Sequence, residues 1–178
     1  MEFLDFFKNA LNLKKISRQG WIDKLSIEHP ESVADHSYSM AIMGMVISDF
    51  ENHDTEKILK MILLHDLAES KIGDFTPEQI TKSEKEKIEN DAFYDIIETL
   101  PNSIKLSYIS IWKEYQNQIS VEAKIVHQID RLEMALQAKM YEKSGSSKEN
   151  IATFLQTAKS DITHPKLKEL FTKIVEDQ

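Results

Sequence analysis

Within the stretch LLHDLAESKIGD, residues 63–74, an apolar helical stripe runs directly into four side chains that can bind a cation or move a proton: His65, Asp66, Glu69 and Asp74. His65 and Asp66 are neighbours, so on an ideal helix they point about 100° apart and one helix cannot close a site around them. Glu69 follows His65 by four residues and Asp66 by three, which puts it on the flank of both. An Asp set mid-helix beside a His, straight after such a stripe, is costly to bury unless it is paired or bound to a cation. A simple Asp–His hydrogen bond with a surface Glu is the plainer alternative, and this stretch alone leaves both open.

Two distant positions carry the same cost. His36, in ESVADHS, lies one turn inside a helix that is otherwise apolar on that side. Asp130, in VHQIDRLEMALQA, is flanked by Ile129, Leu132 and Met134. With His65 and Asp66 they supply two imidazoles and two carboxylates from three separate helices, a set that suits a borderline or hard divalent ion without choosing among Co, Mn, Fe, Mg and Zn. Packed helices commonly direct such ligands inward to one site. The chain has no Cys, so thiolate nucleophiles, zinc–thiolate sites and disulfides are excluded. His127, one turn before Asp130, is expected in a supporting or surface role. His29, His53 and His164 fall in loops or helix ends with no partner at ligand spacing.

The elements that must position these groups are helical. Periodicity of the helical kind recurs along the chain, no run alternates like a strand, and four Gly and four Pro leave few turns. MEFLDFFKNALNLKK reads as an amphipathic first helix with Phe3, Phe6, Phe7 and Leu11 inward. Ser32 and Asp35 predict a capped helix whose inner stripe is Val33, Met40, Met43, Ile47 and Phe50. Thr55 predicts the next cap, with Ile58, Leu59, Ile62 and Leu63 facing the core. Thr76, Pro77 and Gln79 read as a helix start, as do Ser83 and Ser120, the last opening a helix to about Glu142. Two short helices, near Glu149–Lys159 and Pro165–Val175, follow. The charge run KSEKEKIEN reads as a solvated face, and the Met-rich YSMAIMGM as core filler.

A chain of 178 residues predicts one domain, spanning residues 1–178. Its net charge of -8 opposes binding to nucleic acid or to an anionic membrane, so an anionic small substrate needs a local cation. The longest apolar run, Ala41 to Ile47, is too short to span a bilayer, and Glu2 and Asp5 stand where a signal peptide would be basic. A cytoplasmic protein is the expectation.

The order H…HD…D, formed by His36, His65–Asp66 and Asp130, resembles the signature of the HD-domain metal-dependent phosphohydrolases. RQGW at Arg18–Trp21, HPESVADHSYSMAIM, HDLAESKIGD and EAKIVHQIDRLEMALQA are together similar to the 5'-deoxynucleotidase branch of that superfamily over almost the whole chain. The resemblance implies an all-α, single-domain HD-type helical bundle with a central metal site, in which His36, His65, Asp66 and Asp130 hold one divalent ion. It implies that Glu69 is the catalytic acid/base beside a metal-activated water. It also implies that Asp74 holds the substrate near its sugar and that Arg18 and Trp21 line the pocket. There Arg18 would grip phosphate and Trp21 would exclude a 2'-hydroxyl. Plainer roles stand beside these: Asp74 as a turn or cap residue, Trp21 as a core anchor, Arg18 as a surface charge. The implied reaction is hydrolysis of deoxyribonucleoside 5'-monophosphates by a homodimer; the helix around Leu132 and Leu136 is a candidate dimer face, and burial within a monomer accounts for its apolar stripe equally well. The alternatives are hydrolysis of another nucleotide, such as a nucleoside polyphosphate or cyclic nucleotide, a non-catalytic metal- or nucleotide-binding module, and a purely structural helical protein.

Overall fold

Helix boundaries follow local capping chemistry, and the computed structural model describes residues 3–177. Its helices are α1 (Leu4–Asn12), α2 (Gln19–Leu25), α3 (Val33–Glu51), α4 (Thr55–His65), α5 (Glu69–Ile72), α6 (Lys82–Ile97), α7 (Asn102–Gln116), α8 (Val121–Lys143), α9 (Lys148–Asp161) and α10 (Pro165–Glu176). A 3₁₀ turn, Leu13–Lys15, follows α1. Among the described residues there is no β-strand; Ser17 and Ser32 form an isolated antiparallel bridge. The all-α expectation holds.

Ser32 caps α3 in a full capping box with Asp35, and Ser120 caps α8 by accepting from the Ala123 N–H, both as the sequence predicts. Other starts differ. Asp54, not Thr55, caps α4, because its carboxylate reaches the Lys57 N–H. Thr81, not Ser83, opens α6 through a box with Glu84. Thr76 and Gln79 make only an isolated turn, in which the Gln79 side chain accepts from the Thr76 N–H.

Helices α3, α4 and α8 form the centre, where Met40, Ile58, Met61, Ile62, Val126 and Ile129 are fully buried. At Gly44 α3 lies close against α4: a Cβ there would run into Ile62 and lie 3.0 Å from Ile58. Helices α9 and α10 close one side through Ile151, Phe154, Leu167 and Phe171. A second apolar cluster joins Leu64 and Leu67 to Phe93, Ile96, Ile97 and Trp112 of α6 and α7.

Several predicted core positions face outward. Phe3, Phe7 and Leu11 are exposed while Phe6 is partly buried, because α1 lies on the rim of the second cluster and offers it one narrow edge. Phe50 and Leu63 are also exposed; Met61 and Leu64 take the inward places on α4. The outer face of α3 instead shows Tyr38, Ile42, Val46 and Phe50, spaced one helical turn apart. Leu132 is buried, whereas Leu136 is exposed. No helix among the described residues is long and apolar enough to cross a membrane.

Candidate metal centre and active site

The predicted ligands converge because α4 stops where the chemistry begins. Helix α4 ends at His65, and Asp66 follows with φ -107° and ψ 13°, outside helical geometry. The N–H groups of Leu67, Glu69 and Ser70 bond three residues back, a tight turn rather than a continued helix. That break swings Asp66 toward His65 and carries Glu69 into the interior at the start of α5, 1% exposed. His36 comes from the second turn of α3 and Asp130 from the middle of α8.

Distances define a cluster. His65 Nε2 lies 3.0 Å from Asp66 Oδ2, and His36 Nε2 lies 3.3 Å from Asp130 Oδ1 and 3.9 Å from Asp66 Oδ2. Ligand atoms of His36, His65 and Asp66 all fall within 4.8 Å of one another. Edges of about 3.0–3.4 Å are what octahedral or tetrahedral coordination at roughly 2.1 Å produces.

Both imidazoles have at Nδ1 the acceptor that ligation at Nε2 requires. His36 Nδ1 lies 2.7 Å from a carboxylate oxygen of Glu133 and His65 Nδ1 lies 2.6 Å from the Ile62 carbonyl. An ionised carboxylate and a carbonyl can only accept, so each Nδ1 carries a hydrogen and donates it. The Nε2 atoms of both rings are buried and have no hydrogen-bond partner among the described residues. Such orphaned atoms are rare in protein interiors, and an ion coordinated by both would account for the pair.

Electrostatics reinforce the cluster. Burial alone would raise Asp66, but the His65 imidazole, Arg18 and His36 outweigh it and hold the carboxyl far below its ordinary value. Asp130 is likewise held down against burial, by the adjoining His36 imidazole and by the charges of Arg131 and Arg18. For His36 itself, burial and Arg18 pull downward, yet Asp130 and Glu133 prevail and push it up to about 9. Glu69 moves the other way: burial, then the charges of Asp66 and Asp74, raise it well above the usual range.

The remaining predicted residues surround a cavity of about 630 Å³ that reaches His65, Asp66, Glu69 and Asp130, a size typical of small-molecule sites. Arg18 is no loose surface charge: its guanidinium lies 3.4 Å from Asp66 and 3.9 Å from Asp130, at the cavity wall. Trp21 is both a core anchor and a cavity residue. It is 2% exposed, donates to Glu31 from Nε1 at 2.8 Å and packs on Phe154. Asp74 also lines the cavity, and it accepts the Gln19 N–H at 2.8 Å, capping α2 from outside. His127 stacks on Tyr115 with ring centres 4.1 Å apart, and its Nε2 lies 3.0 Å from the Tyr115 carbonyl, so that nitrogen is already engaged.

Two residues stand here that sequence reasoning did not single out. Glu133 orients His36; its position one turn after Asp130 was the available signal. Lys85 belongs to the charge run read as a solvated face, yet it turns inward, 3.5 Å from Glu69, 3.4 Å from Glu89 and 3.9 Å from Asp74, and donates to the Phe75 carbonyl at 3.2 Å.

The chain is similar to known proteins over almost its whole length. Residues 10–171 match the HD domain family model. The chain is 38% identical to a 5'-deoxynucleotidase HDDC2 of Dictyostelium discoideum, over 99% of this chain and 98% of that protein. It is 35% identical to a 5'-deoxynucleotidase HDDC2 of Homo sapiens, over 96% of this chain and 83% of that protein. A solved structure of a conserved hypothetical protein from Pyrococcus furiosus superposes with a TM-score of 0.79 at 28% identity, covering 97% of this chain and 99% of that one. With its two buried imidazoles facing a pair of carboxylates, the chain belongs to the HD-domain family.

Proposed function

We propose that this chain hydrolyses deoxyribonucleoside 5'-monophosphates to deoxynucleoside and phosphate, using one divalent ion held by His36, His65, Asp66 and Asp130. The observation that carries the proposal is the pair of buried, partnerless Nε2 atoms facing Asp66 and Asp130 with Glu69 beside them. Near full-length similarity to proteins named 5'-deoxynucleotidase supports the substrate class.

When bound, the ion supplies a water of lowered pKa and polarises the phosphoryl oxygen. The chain's own residues do the rest. Glu69 takes the attacking water's proton; its burial and the charges of Asp66 and Asp74 raise the carboxyl's proton affinity above that of an exposed glutamate. As the new P–O bond forms, the bond to the sugar 5'-oxygen breaks in line with it, and that oxygen leaves and takes up the proton that Glu69 accepted. Arg18 supplies the cation an acidic protein needs to receive phosphate and offers a planar fork of donors to its oxygens. Trp21, fixed by Glu31 and Phe154, forms a rigid wall against which a 2'-hydroxyl would be crowded, and Asp74 faces the sugar. A homodimer in the cytoplasm completes the reading; the exposed stripe Tyr38, Ile42, Val46 and Phe50 supports the former, and a Cys-free chain is compatible with the latter.

Phosphate release measured on the four deoxynucleoside monophosphates and their ribose counterparts, with Co, Mn, Mg and Zn in turn, tests the proposal. Deoxy substrates should turn over faster, and Glu69→Gln should abolish turnover while keeping metal. Equal rates on both sugar classes would refute the deoxy preference, and full activity in Glu69→Gln would refute the role of Glu69.

A further inference from the structure

We propose that Glu51, His53 and His164 form a second binding site for a divalent transition metal, joining the end of α3 to the start of α10. The sequence gives no hint of it, since His164 stands 111 positions after His53, and both were expected to lack partners at ligand spacing. The fold brings them together. Helix α3 ends at Glu51, Asn52 adopts a left-handed conformation (φ 59°), and the turn lays His53 back over the helix end, where its N–H reaches the Ser48 carbonyl. His164 precedes α10, and the Gln128 side chain accepts its backbone N–H at 2.7 Å, fixing this corner against α8.

Glu51 Oε2 lies 3.0 Å from His164 Nε2 and 3.5 Å from His53 Nε2, and the three ligand atoms fall within 4.8 Å of one another. Tetrahedral coordination at roughly 2.1 Å separates neighbouring ligand atoms by about 3.4 Å, close to both distances. All three side chains are about a fifth exposed, so a cation can enter and water can complete its shell. Two imidazoles and one carboxylate favour Zn²⁺, Co²⁺ or Ni²⁺ over Mg²⁺ or Ca²⁺, which prefer all-oxygen sites.

Charge points the same way. The C-terminal end of α3 is the negative pole of a 19-residue helix and gathers Asp49, Glu51 and Asp54, with no basic residue in its last turn. Among the described residues the ion-pair partners of Glu51 are these two imidazoles alone.

The test is metal stoichiometry on the full chain after chelator treatment, with Zn²⁺ followed by calorimetry and Co²⁺ by its visible spectrum. Wild type should bind two equivalents. Glu51→Gln, His53→Ala and His164→Gln should each weaken one of them by at least about tenfold, the lower end of what losing even an outlying partner of a metal site costs. The other equivalent should remain, with phosphate release unchanged. His65→Ala should lose the opposite equivalent, and Zn²⁺ should still raise its melting temperature unless His53→Ala is added. His53 lies in a turn, so its variant tests the site without risk to the core. A single equivalent in wild type, or a second one that survives both Glu51→Gln and His53→Ala, would overturn the proposal.

Discussion

Replacing Glu133 is the sharpest perturbation of the HD centre that leaves every proposed ligand in place. Its Oε2 accepts the His36 Nδ1–H at 2.7 Å, with Glu133 3% and His36 0% exposed, so neither group has water to fall back on. Glu133→Leu fills similar volume but strands the imidazole N–H. A buried donor without a partner costs about 1–3 kcal/mol, and loss of a carboxylate behind a metal-bound histidine costs roughly 10–100-fold in affinity. The short, fully buried bond places Glu133→Leu at the upper end, about 100-fold, equivalent to about 2.7 kcal/mol. Glu133→Gln keeps an acceptor oxygen and loses only charge, so about tenfold is expected. Metal-free stability should fall less than the affinity does, because removing Glu133 also relieves Glu31, whose carboxyl is pushed up to about 7 by burial and then by Glu133. Affinity is read by competition against a chromophoric chelator, and stability by urea melts of the metal-free protein. A Glu133→Leu protein that binds within twofold of wild type would show that His36 needs no orienting partner, and the reasoning would fail.

Three other outcomes follow from the same contacts. Lys85→Met should lower kcat roughly tenfold with a smaller change in KM, less than the ~10²–10⁴ expected for Glu69 itself, and Lys85→Arg should restore part of it; unchanged kcat in Lys85→Met counts against this. Gly44→Ala gains helix propensity but drives a methyl into Ile62 and Ile58, so a net loss of about 1–2 kcal/mol should appear as a lower urea midpoint; a midpoint at or above wild type refutes it. Glu31 is raised in the folded protein, so as pH climbs from about 4.5 to 7 the unfolded chain ionises first and metal-free stability falls. Glu31→Gln, which still accepts from Trp21, should flatten that decline, and an unchanged slope in pH-dependent melts would exclude Glu31 as its source.

Much of this architecture was legible because it rests on local chemistry. Caps at Ser32 and Ser120 satisfy helix N–H groups from three residues away, so the sequence contains the whole interaction. His65, Asp66 and Glu69 were legible as a group for a similar reason, although the sequence implied a continuous helix where the chain breaks at Asp66. The break leaves the spacing useful, since a tight turn also brings positions three apart onto one side. The outward stripe of α3 was not legible: Phe50 and Met40 are alike in hydropathy, and only the placement of α4 and α8 decides which one is covered.

What the sequence concealed is a matter of range. Lys85 sits in a run of charges whose ordinary fate is solvation, and its inward turn depends on Glu69, Asp74 and the Phe75 carbonyl, 10–16 residues earlier in the chain. Glu51 and His164 are farther apart still, and the fold joins them by packing α10 on α8 and α9 so that the residue before it reaches the end of α3. Both cases obey one physical rule: a charged side chain moves off the surface only where groups from elsewhere replace its water. Finding such residues therefore requires knowing which helices face each other, whereas the proposed ligands of the HD centre betray themselves by standing among apolar neighbours in their own helices.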